Sequence, residues 1–525
     1  MKILYKILNK LFLLLKKILK LLTSRVVVIA AALILEFLWI VVIMFKLNER
    51  SVYITYVSTI IALLMVFYIV NQRMNPGYKL MWSVCILAFP VMGICLYGVF
   101  GHSKIAHRFR ETYDKVLLSQ GEILLEKEET RSALSGKDSL IASQSEYLDR
   151  YANAPVYQNT ETEYYPMGED WFARFLEELE KAEHYIFLEY FIISEGYMWD
   201  TILEILKKKA QNGVDVRLIY DDFGCVTTLP YQYYKALQSI GIKCAAFNQF
   251  RPVLNVVLNN RDHRKIAVID GHTGFTGGIN LADEYINQKE RFGHWKDSGV
   301  CLHGEAVWSF TVMFLQLWSA ITRTDCVFED YRPEKYHKER FLNDGFVQPY
   351  GDSPFDDETV GEHVYLNLIS HAKRYLYIFT PYLIPDNETL IALTLAAKRG
   401  VDVRIVTPGI PDKKMVFVLT QSYYEQLIEA GVQIYQYTPG FIHSKCFVCD
   451  DEVATVGTIN VDYRSMYLHF ECGVWMYQSK AVMQVKEDAL DTFPVCEQIN
   501  MDFCRKKNFL VRALRGILKL LAPLL

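Results

Sequence analysis

The chain has 525 residues, enough for a membrane-associated segment and two domains of ordinary size. Its formal net charge is −4, whereas nucleic-acid binders usually carry a basic surplus, so no nucleic-acid partner is expected. The 11 cysteines show no zinc or disulfide spacing apart from Cys446 and Cys449. Those two side chains would point to opposite faces of a strand and are predicted to be packing residues, which suits a reducing compartment.

The N-terminal hundred or so residues are strongly apolar. Residues 1–24 mix lysines with Leu, Ile and Phe and predict a basic amphipathic helix on an anionic membrane surface. Three apolar runs follow, at 26–45, 53–70 and 80–100, each about as long as a helix that crosses a bilayer. Glu36 in the first run would cost about 2.5–3.5 kcal/mol to insert. We therefore expect residues 25–101 to be a hydrophobic membrane region with two or three spans.

Basic residues flank both ends of this region. Arg25 and the lysines of residues 1–24 precede the first run, and Lys104, Arg108 and Arg110 follow the last. The positive-inside tendency would place both ends in the cytoplasm, which three crossings cannot satisfy. Either the first run does not cross, or one end violates the tendency. We expect a multi-pass protein of the cell membrane, with its catalytic domain on the cytoplasmic face.

Residues 102–157 are charged and predict a juxtamembrane linker, after which the chain is duplicated. The segment Gly-Val-Asp-Val-Arg at 213–217 recurs letter for letter at 400–404. In each copy a predicted helix ends at the glycine that precedes the next strand. Strands that alternate with helices predict an α/β fold of two halves, 158–350 and 351–500, related by a pseudo-two-fold axis and forming one catalytic unit. We expect mixed, mostly parallel sheets that pack edge to edge.

Each half contains one His-x-Lys-x4-Asp motif. Its six residues are the candidate catalytic residues His263, Lys265 and Asp270 in the first half and His443, Lys445 and Asp450 in the second. Residues 263–269 and 443–449 predict buried strands, in which alternation puts the His and the Lys on one face. A Gly-x-Ile-Asn segment follows each motif and ends in Asn280 or Asn460. If the halves meet, one pocket holds two imidazoles, two ammonium groups and two carboxamides, a set suited to a phosphate diester.

The duplicated motif resembles that of the phospholipase D superfamily over residues 160–500. Segments 277–285, 295–297 and 460–465 are similar to the bacterial cardiolipin synthase branch, and the apolar stretch 76–101 resembles the membrane hairpin of the same branch. The resemblance implies transfer of a phosphatidyl group from one phosphatidylglycerol to another, with release of glycerol. Alternatives are a membrane-bound hydrolase or a transphosphatidylase that uses another donor or acceptor lipid, a nuclease, and a non-catalytic scaffold.

The resemblance also implies roles for individual residues. His263 is the nucleophile that forms a phosphohistidine and His443 is the acid and base, although the symmetry of the sequence leaves the reverse assignment open. The groups that would hold the phosphate oxygens are Lys265, Lys445, Asn280 and Asn460. No metal or cofactor is expected, because the sequence has no clustered carboxylate or His/Cys ligand set.

Two further carboxylates, Asp297 and Glu471, resemble the groups that orient the imidazoles in this superfamily, and a surface salt bridge is the alternative for each. They follow the histidines of their own halves at similar distances. Asp270 and Asp450 come at strand ends and are expected to brace loops rather than to touch substrate. The chain departs from the family pattern at His469, where Asn is expected, and this change would alter acceptor contacts.

Residues 501–525 predict a second basic amphipathic helix, for which packing against the core is the alternative. Together with the apolar runs it would hold the pocket against anionic membrane lipid. The expected partners are therefore phosphatidylglycerol and a membrane in which the chain is embedded. The sequence does not indicate an oligomeric state.

Overall fold

The computed structural model describes residues 38, 41–42, 52–98, 106–119, 123–125, 127–249, 260–337, 340–506 and 508–524. The helix predicted over residues 1–24 lies outside the described residues, as does nearly all of the apolar run 26–45. The other predicted segments can be compared with the structure.

The N-terminal part is a helical hairpin made of α1 (Val52–Val70), α2 (Pro76–Ala88) and α3 (Pro90–Leu96). Asn75 caps α2, because its side chain accepts a hydrogen bond from the Gly77 N–H at 2.8 Å. Pro90 separates α2 from α3 within the third apolar run. In the described part of the chain, no helix combines the length and the apolarity needed to cross a bilayer. The predicted spans therefore stay a prediction.

The turn of this hairpin contacts the globular part. The Asn75 amide donates to Asp386 Oδ2 at 3.0 Å and to the Tyr467 hydroxyl at 2.7 Å. The Tyr78 ring lies edge-on to Tyr463 and Tyr467, at 5.9 and 6.0 Å between ring centres. The hairpin thus docks on the short helix that contains both tyrosines.

The predicted linker is helical and partly buried. It contains α4 (Ala106–Ser119), α5 (Glu128–Ser135) and α6 (Ser139–Ala152). Tyr113 of α4 is buried and its ring lies 5.4 Å from that of Phe470, in the core of the globular part. This segment therefore packs as part of the globular unit, because its apolar face covers the sheets.

The first half has a seven-stranded sheet in the order β1-β9-β7-β6-β2-β3-β4. The strands are β1 (Thr160–Tyr165), β2 (Tyr185–Tyr190), β3 (Asp215–Asp221), β4 (Lys243–Phe247), β5 (Arg261–Asp262), β6 (Ile266–Ile269), β7 (Thr273–Gly277), β8 (His294–Lys296) and β9 (Gly299–Gly304). The helices are α7 (Gly168–Lys181), α8 (Tyr197–Gln211), α9 (Tyr233–Gln238) and α10 (Val307–Thr322).

The second half repeats this arrangement in the order β10-β17-β16-β15-β11-β12-β13-β18, with β18 added at the edge. The strands are β10 (Phe346–Asp352), β11 (Tyr375–Phe379), β12 (Asp402–Pro408), β13 (Gln433–Tyr437), β14 (Gly440–Ile442), β15 (Cys446–Cys449), β16 (Val453–Gly457), β17 (His469–Tyr477) and β18 (Cys496–Ile499). The helices are α11 (Val360–His371), α12 (Asn387–Lys398), α13 (Lys414–Glu429), α14 (Tyr463–Tyr467), α15 (Lys480–Thr492), α16 (Met501–Arg505) and α17 (Phe509–Leu521). The two α/β halves are confirmed, but the predicted boundary after residue 350 is wrong, since it falls inside β10.

The sheets are mixed, but the prediction that they are mostly parallel is wrong. Within the two large sheets, β2-β3-β4 and β11-β12-β13 pair in parallel, whereas the other neighbours in each strand order pair antiparallel. Each motif strand, β6 or β15, pairs antiparallel with the strand that follows it. The connection after Ile269 reaches Thr273 in a few residues, and a parallel crossover needs about a dozen or more.

The prediction that the sheets meet edge to edge is also wrong. The motif strands β6 and β15 are interior strands, each flanked by two neighbours. The sheets pack face to face, and one core joins Val268 and Leu302 of the first half to Val448 and Cys472 of the second. This packing buries both faces of the motif strands, which explains their continuous apolar sequence. Two short parallel pairs, β5 with β17 and β8 with β14, join the halves at the seam.

Asp270 and Asp450 brace the ends of the motif strands. Both adopt left-handed backbone conformations, with φ of 49° and 58°. The Asp270 carboxylate accepts hydrogen bonds from the backbone N–H groups of residues 183, 184 and 185, each at 2.8 Å. Asp450 accepts from residues 373, 374 and 375 at 2.7–2.9 Å. The expected bracing role is confirmed, because each carboxylate fixes the start of the strand beside its motif.

Candidate active site at the seam of the two halves

The two motif histidines line one cavity of about 630 Å³ at the seam. Asn280 and Asn460 line it as well, so the halves bring four of the predicted groups together. A larger surface cavity, of about 760 Å³, lies beside Asp270 and is not lined by either motif histidine. We assign the chemistry to the smaller cavity, because it contains the paired motif groups.

Each imidazole is held by a carboxylate from the opposite half. His263 Nδ1 lies 2.9 and 3.0 Å from the two carboxylate oxygens of Glu471. His443 Nδ1 lies 2.7 Å from Asp297 Oδ2. Both carboxylates are fully buried, so the alternative of a surface salt bridge is wrong. From the spacing in the sequence, each carboxylate was matched to the histidine of its own half. In the structure each carboxylate instead binds the histidine of the other half.

The seam strands cause this exchange. The β5–β17 pair places His263 beside Phe470, and the His263 N–H donates to the Phe470 carbonyl at 2.9 Å. At the β8–β14 pair, the His443 N–H donates to the Lys296 carbonyl at 2.7 Å. Each histidine therefore meets the carboxylate that follows its backbone partner in the sequence. Each of these contacts joins residues that are far apart in the sequence, and the spacing within either motif does not indicate it.

The pKa values of the two carboxyl groups are shifted in opposite directions. Burial raises the pKa of Glu471 well above its ordinary value. Burial also raises the pKa of Asp297, but the charges of His443 and Lys445 outweigh it, and the net pKa is lowered. The Thr458 hydroxyl donates to Glu471 Oε2. His263 thus faces a carboxyl that favours its neutral form, whereas His443 faces a carboxylate.

The bases of the site are also shifted towards their neutral forms. Burial, followed by the charge of Lys265, lowers the pKa of His263 well below its ordinary value. Burial and Lys445 lower the pKa of His443 to about 4, although Asp297 opposes this shift. Burial lowers the pKa of Lys265 to about 8 and that of Lys445 to about 7. A bound anion would offset these shifts by favouring the charged forms.

The lysines lie directly behind the histidines. Both are almost completely buried, and neither is among the residues that line the cavity. The Lys265 ammonium donates to the His263 carbonyl at 2.6 Å, and the Lys445 ammonium donates to the His443 carbonyl. Lys445 Nζ also lies 2.9 Å from His443 Nδ1. Because each ammonium has three N–H donors, both lysines still have a donor for a phosphate.

The two asparagines present their amides at equivalent points of the cavity. Asn280 follows β7, accepts from the Ile192 N–H at 3.0 Å and donates to the Tyr285 hydroxyl at 2.8 Å. Asn460 follows β16, and its buried Oδ1 has no hydrogen-bond partner among the described residues. Both amides thus lie at the cavity, as the sequence predicted. The Asn280 side chain has two hydrogen bonds to other residues, whereas Asn460 Oδ1 has none among the described residues.

Asp270 and Asp450 do not line this cavity, and the structure shows them in the bracing role, so their grouping with the catalytic residues stays a prediction. Their side chains are engaged by backbone amides at the far end of each motif strand, because a strand of this length separates the two ends of the motif.

Potential metal-ligand groups among the described residues are His263 with His469 and Glu471, and Glu362 with Asp386 and Glu388. That no metal takes part stays a prediction.

The sequence did not predict the other residues that line the cavity, which include a set of aromatic side chains, here called the aromatic wall. The aromatic members are Phe191, Phe223, Tyr285, Phe292, Trp295, Tyr382, Phe441 and Tyr463. Tyr285 and Trp295 lie beside His443, each at 5.5 Å between ring centres. The cations Arg261 and Arg464 also line the cavity. The only signal for these residues was their place next to the motif segments.

The exchanged pairs predict which residues are energetically coupled. In double-mutant cycles of unfolding free energy, His263→Ala with Glu471→Ala, and His443→Ala with Asp297→Ala, should show coupling of about 0.5–3 kcal/mol, because the side chains are in contact. The same-half combination of His263→Ala with Asp297→Ala serves as the control and should be closer to additive. Larger coupling within the halves than between them would contradict the exchange.

Comparison with known proteins agrees with this geometry. A family model described as cardiolipin synthase, PLD-like domain, matches residues 175–318 and 365–491. An uncharacterized protein of Streptococcus mutans is 44% identical over 467 residues, 88% of this chain and 99% of that protein. A cardiolipin synthase of a Geobacillus species is 35% identical over 464 residues, 87% of this chain and 91% of that protein.

A solved structure, the phosphatidylserine synthase of Haemophilus influenzae, has a TM-score of 0.53 and 14% identity, and the match covers 72% of this chain and 97% of that one. At that identity it shows the fold alone. The sequence matches extend over most of the chain, and they include both motif-bearing halves that build the cavity. The chain belongs to the cardiolipin synthase family of phospholipase D-like proteins.

Proposed function

We propose that this phosphatidyltransferase makes cardiolipin by transferring a phosphatidyl group from one phosphatidylglycerol to another, with release of glycerol. The observation that carries the proposal is the pair of buried histidines in one cavity, each bound through Nδ1 to a carboxyl group of the other half. This arrangement leaves Nε2 of each ring for chemistry at a single phosphorus atom.

The reaction has two displacements. In the first, His263 Nε2 forms a bond to phosphorus, the bond to the glycerol oxygen breaks, and His443 gives that oxygen a proton. In the second, the hydroxyl of another phosphatidylglycerol gives its proton to His443 and attacks phosphorus, and the bond to His263 breaks. The proton and the histidine are both restored at the end of the cycle.

The unequal carboxyl groups support His263 as the nucleophile. A nucleophilic imidazole must be neutral, and the raised pKa of Glu471 places little negative charge beside His263. A proton donor must carry a proton, and the ionised Asp297 stabilises an imidazolium at His443. The reverse assignment would put the imidazolium beside the neutral carboxyl.

The other groups stabilise charge and exclude water. Lys265, Lys445, Asn280 and Asn460 can donate to the two non-bridging oxygens, where charge develops in the transition state. The aromatic wall beside His443 lowers the exposure of the acceptor position to water. Transfer to a lipid hydroxyl then depends on positioning, because water is the competing acceptor.

We further propose a membrane location with the catalytic domain on the cytoplasmic face, and the C-terminal helix supports the contact with a membrane. On α17, Phe509 is 81% exposed and Leu510 is 75% exposed, whereas Leu518 on the opposite side is buried. The helix contacts α2 of the hairpin, and Ala522 directly after it lines the cavity. Apolar side chains exposed on a helix whose C-terminal end reaches the cavity suit a bilayer surface from which lipid enters.

Incubation with phosphatidylglycerol in detergent, without divalent metal, tests the proposed reaction. Mass spectrometry should detect cardiolipin and glycerol, and a phosphohistidine should be trapped at residue 263. His263→Ala should lose all measurable transfer, while His272→Ala, a histidine outside the cavity, should retain it. Phosphatidic acid as the sole lipid product would contradict transfer, and a phosphohistidine at residue 443 would reverse the assignment.

The lysine pKa values predict how the rate depends on pH. Both ammonium groups are charged at low pH and lose their charge as the pH rises through about 7 for Lys445 and about 8 for Lys265. The value of kcat/KM reports the free enzyme. Loss of the Lys445 charge should therefore steepen its decline by about tenfold per pH unit above about pH 7, and loss of the Lys265 charge by a further tenfold per unit above about pH 8, in addition to the decline that deprotonation of the His443 acid causes at lower pH. Lys445→Arg keeps its charge and should move this limb towards that of Lys265. Lys208→Arg, at an exposed position, is the control and should leave the pH profile unchanged. An unchanged profile for Lys445→Arg would contradict the prediction.

The exposed face of α17 predicts a dependence on the lipid surface. The double variant Phe509→Ser with Leu510→Ser should lose about tenfold or more in activity on phosphatidylglycerol vesicles, because burial of each side chain contributes about 1.5–3 kcal/mol. Activity in detergent micelles should change little. Val327→Ser, which replaces an exposed apolar residue away from α17, is the matched control. Equal losses on vesicles and in micelles would contradict a membrane role for this face.

A further inference from the structure

His469 is a third imidazole of the cavity, and the two displacements above do not use it. It begins β17 and lines the cavity. Its ring centre is 5.5 Å from that of His263, and its side chain is only 11% exposed. A polar ring therefore lies beside the proposed nucleophile without an assigned task.

The ring nitrogens of His469 are not engaged by protein. Neither has a hydrogen-bond partner among the residues that the structure describes. Glu471 Oε1 lies 3.5 Å from Nδ1, but that carboxyl is already bound by His263 and Thr458. A buried donor without a partner is destabilising, so these nitrogens favour a ligand that supplies one.

The charges around His469 indicate what kind of ligand fits. Burial, followed by the charges of Arg464, Arg261 and Lys265, lowers the pKa of His469 well below its ordinary value. The ring is thus a neutral imidazole with one N–H donor, in a region of positive charge. An anionic oxygen satisfies the donor and is attracted by the surrounding cations.

His371 is a useful comparison, because it is buried like His469 but lies elsewhere in the fold. His371 also has two ring nitrogens without a hydrogen-bond partner among the described residues, and Glu452 Oε2 lies 3.5 Å from its Nε2. It lies on α11, however, and does not line the active-site cavity. His469 differs in that its unengaged nitrogens share the cavity with His263.

We propose that His469 is a further substrate-binding residue, which donates its N–H to a non-bridging oxygen of the phosphoryl group attacked by His263. This inference rests on the proposed function. The contact persists from the bound lipid through the phosphohistidine, since the same oxygen stays on phosphorus in both displacements. His469 makes and breaks no covalent bond, and it transfers no proton.

Two substitutions of nearly equal size test the donor. His469→Leu removes the N–H, while His469→Asn supplies an amide donor of almost the same shape. With orthovanadate as a phosphoryl mimic, His469→Leu should raise the dissociation constant, measured by direct binding, about tenfold or more and lower kcat/KM for phosphatidylglycerol by a similar factor. His469→Asn should recover most of both values. His371→Leu is the control and should leave both values unchanged.

The outcomes separate this inference from the proposed function. If the wild-type enzyme converts phosphatidylglycerol but His469→Leu keeps the wild-type values, or if the Leu and Asn variants lose equally, the inference is wrong and the proposed function stands. If the wild-type enzyme does not convert phosphatidylglycerol, the proposed function is wrong, and the orthovanadate constants alone decide whether His469 binds an oxyanion. Melting temperatures of all variants exclude losses that come from unfolding.

Discussion

The active site depends on the exchange of carboxyl groups between the halves. His263 is bound by Glu471 and His443 by Asp297, so neither half holds an oriented imidazole by itself. The face-to-face core brings the sheets together, and the short seam pairs β5–β17 and β8–β14 set the register of the contacts. A shift of either seam pair would separate a histidine from its carboxyl. The packing of the halves and the orientation of the imidazoles are therefore one constraint.

This constraint places several ionisable groups in a site of low dielectric. Burial there disfavours their charged forms and shifts their pKa values. Both lysines and both histidines are shifted towards neutral forms, chiefly by burial. A phosphate diester brings the negative charge that the site lacks, so its binding and the charging of the lysines favour one another. The same burial makes the electrostatic stabilisation of the transition state stronger than it would be in water. The site is thus prepared for an anion before one binds.

Much of this could be predicted from the sequence because its signals are local. The two motifs, Asn280 and Asn460, the α/β halves and the bracing by Asp270 and Asp450 all follow from short repeated patterns. The antiparallel pairing of the motif strands also has a local signal, since the connection from Ile269 to Thr273 is too short for a parallel crossover. The face-to-face packing and the exchanged carboxyl groups were not predictable, because they join residues far apart in the chain. Spacing within one copy does not reveal a contact with the other.

The exchange also bears on how a duplicated chain can change over generations. After a duplication, two copies are ordinarily free to drift apart, provided that each keeps its own internal contacts. Here the carboxyl partner of each histidine is encoded in the other copy, as Glu471 is for His263 and Asp297 is for His443. A change at one of these four positions therefore alters a contact whose other member lies in the distant copy. The two copies cannot change independently at these positions.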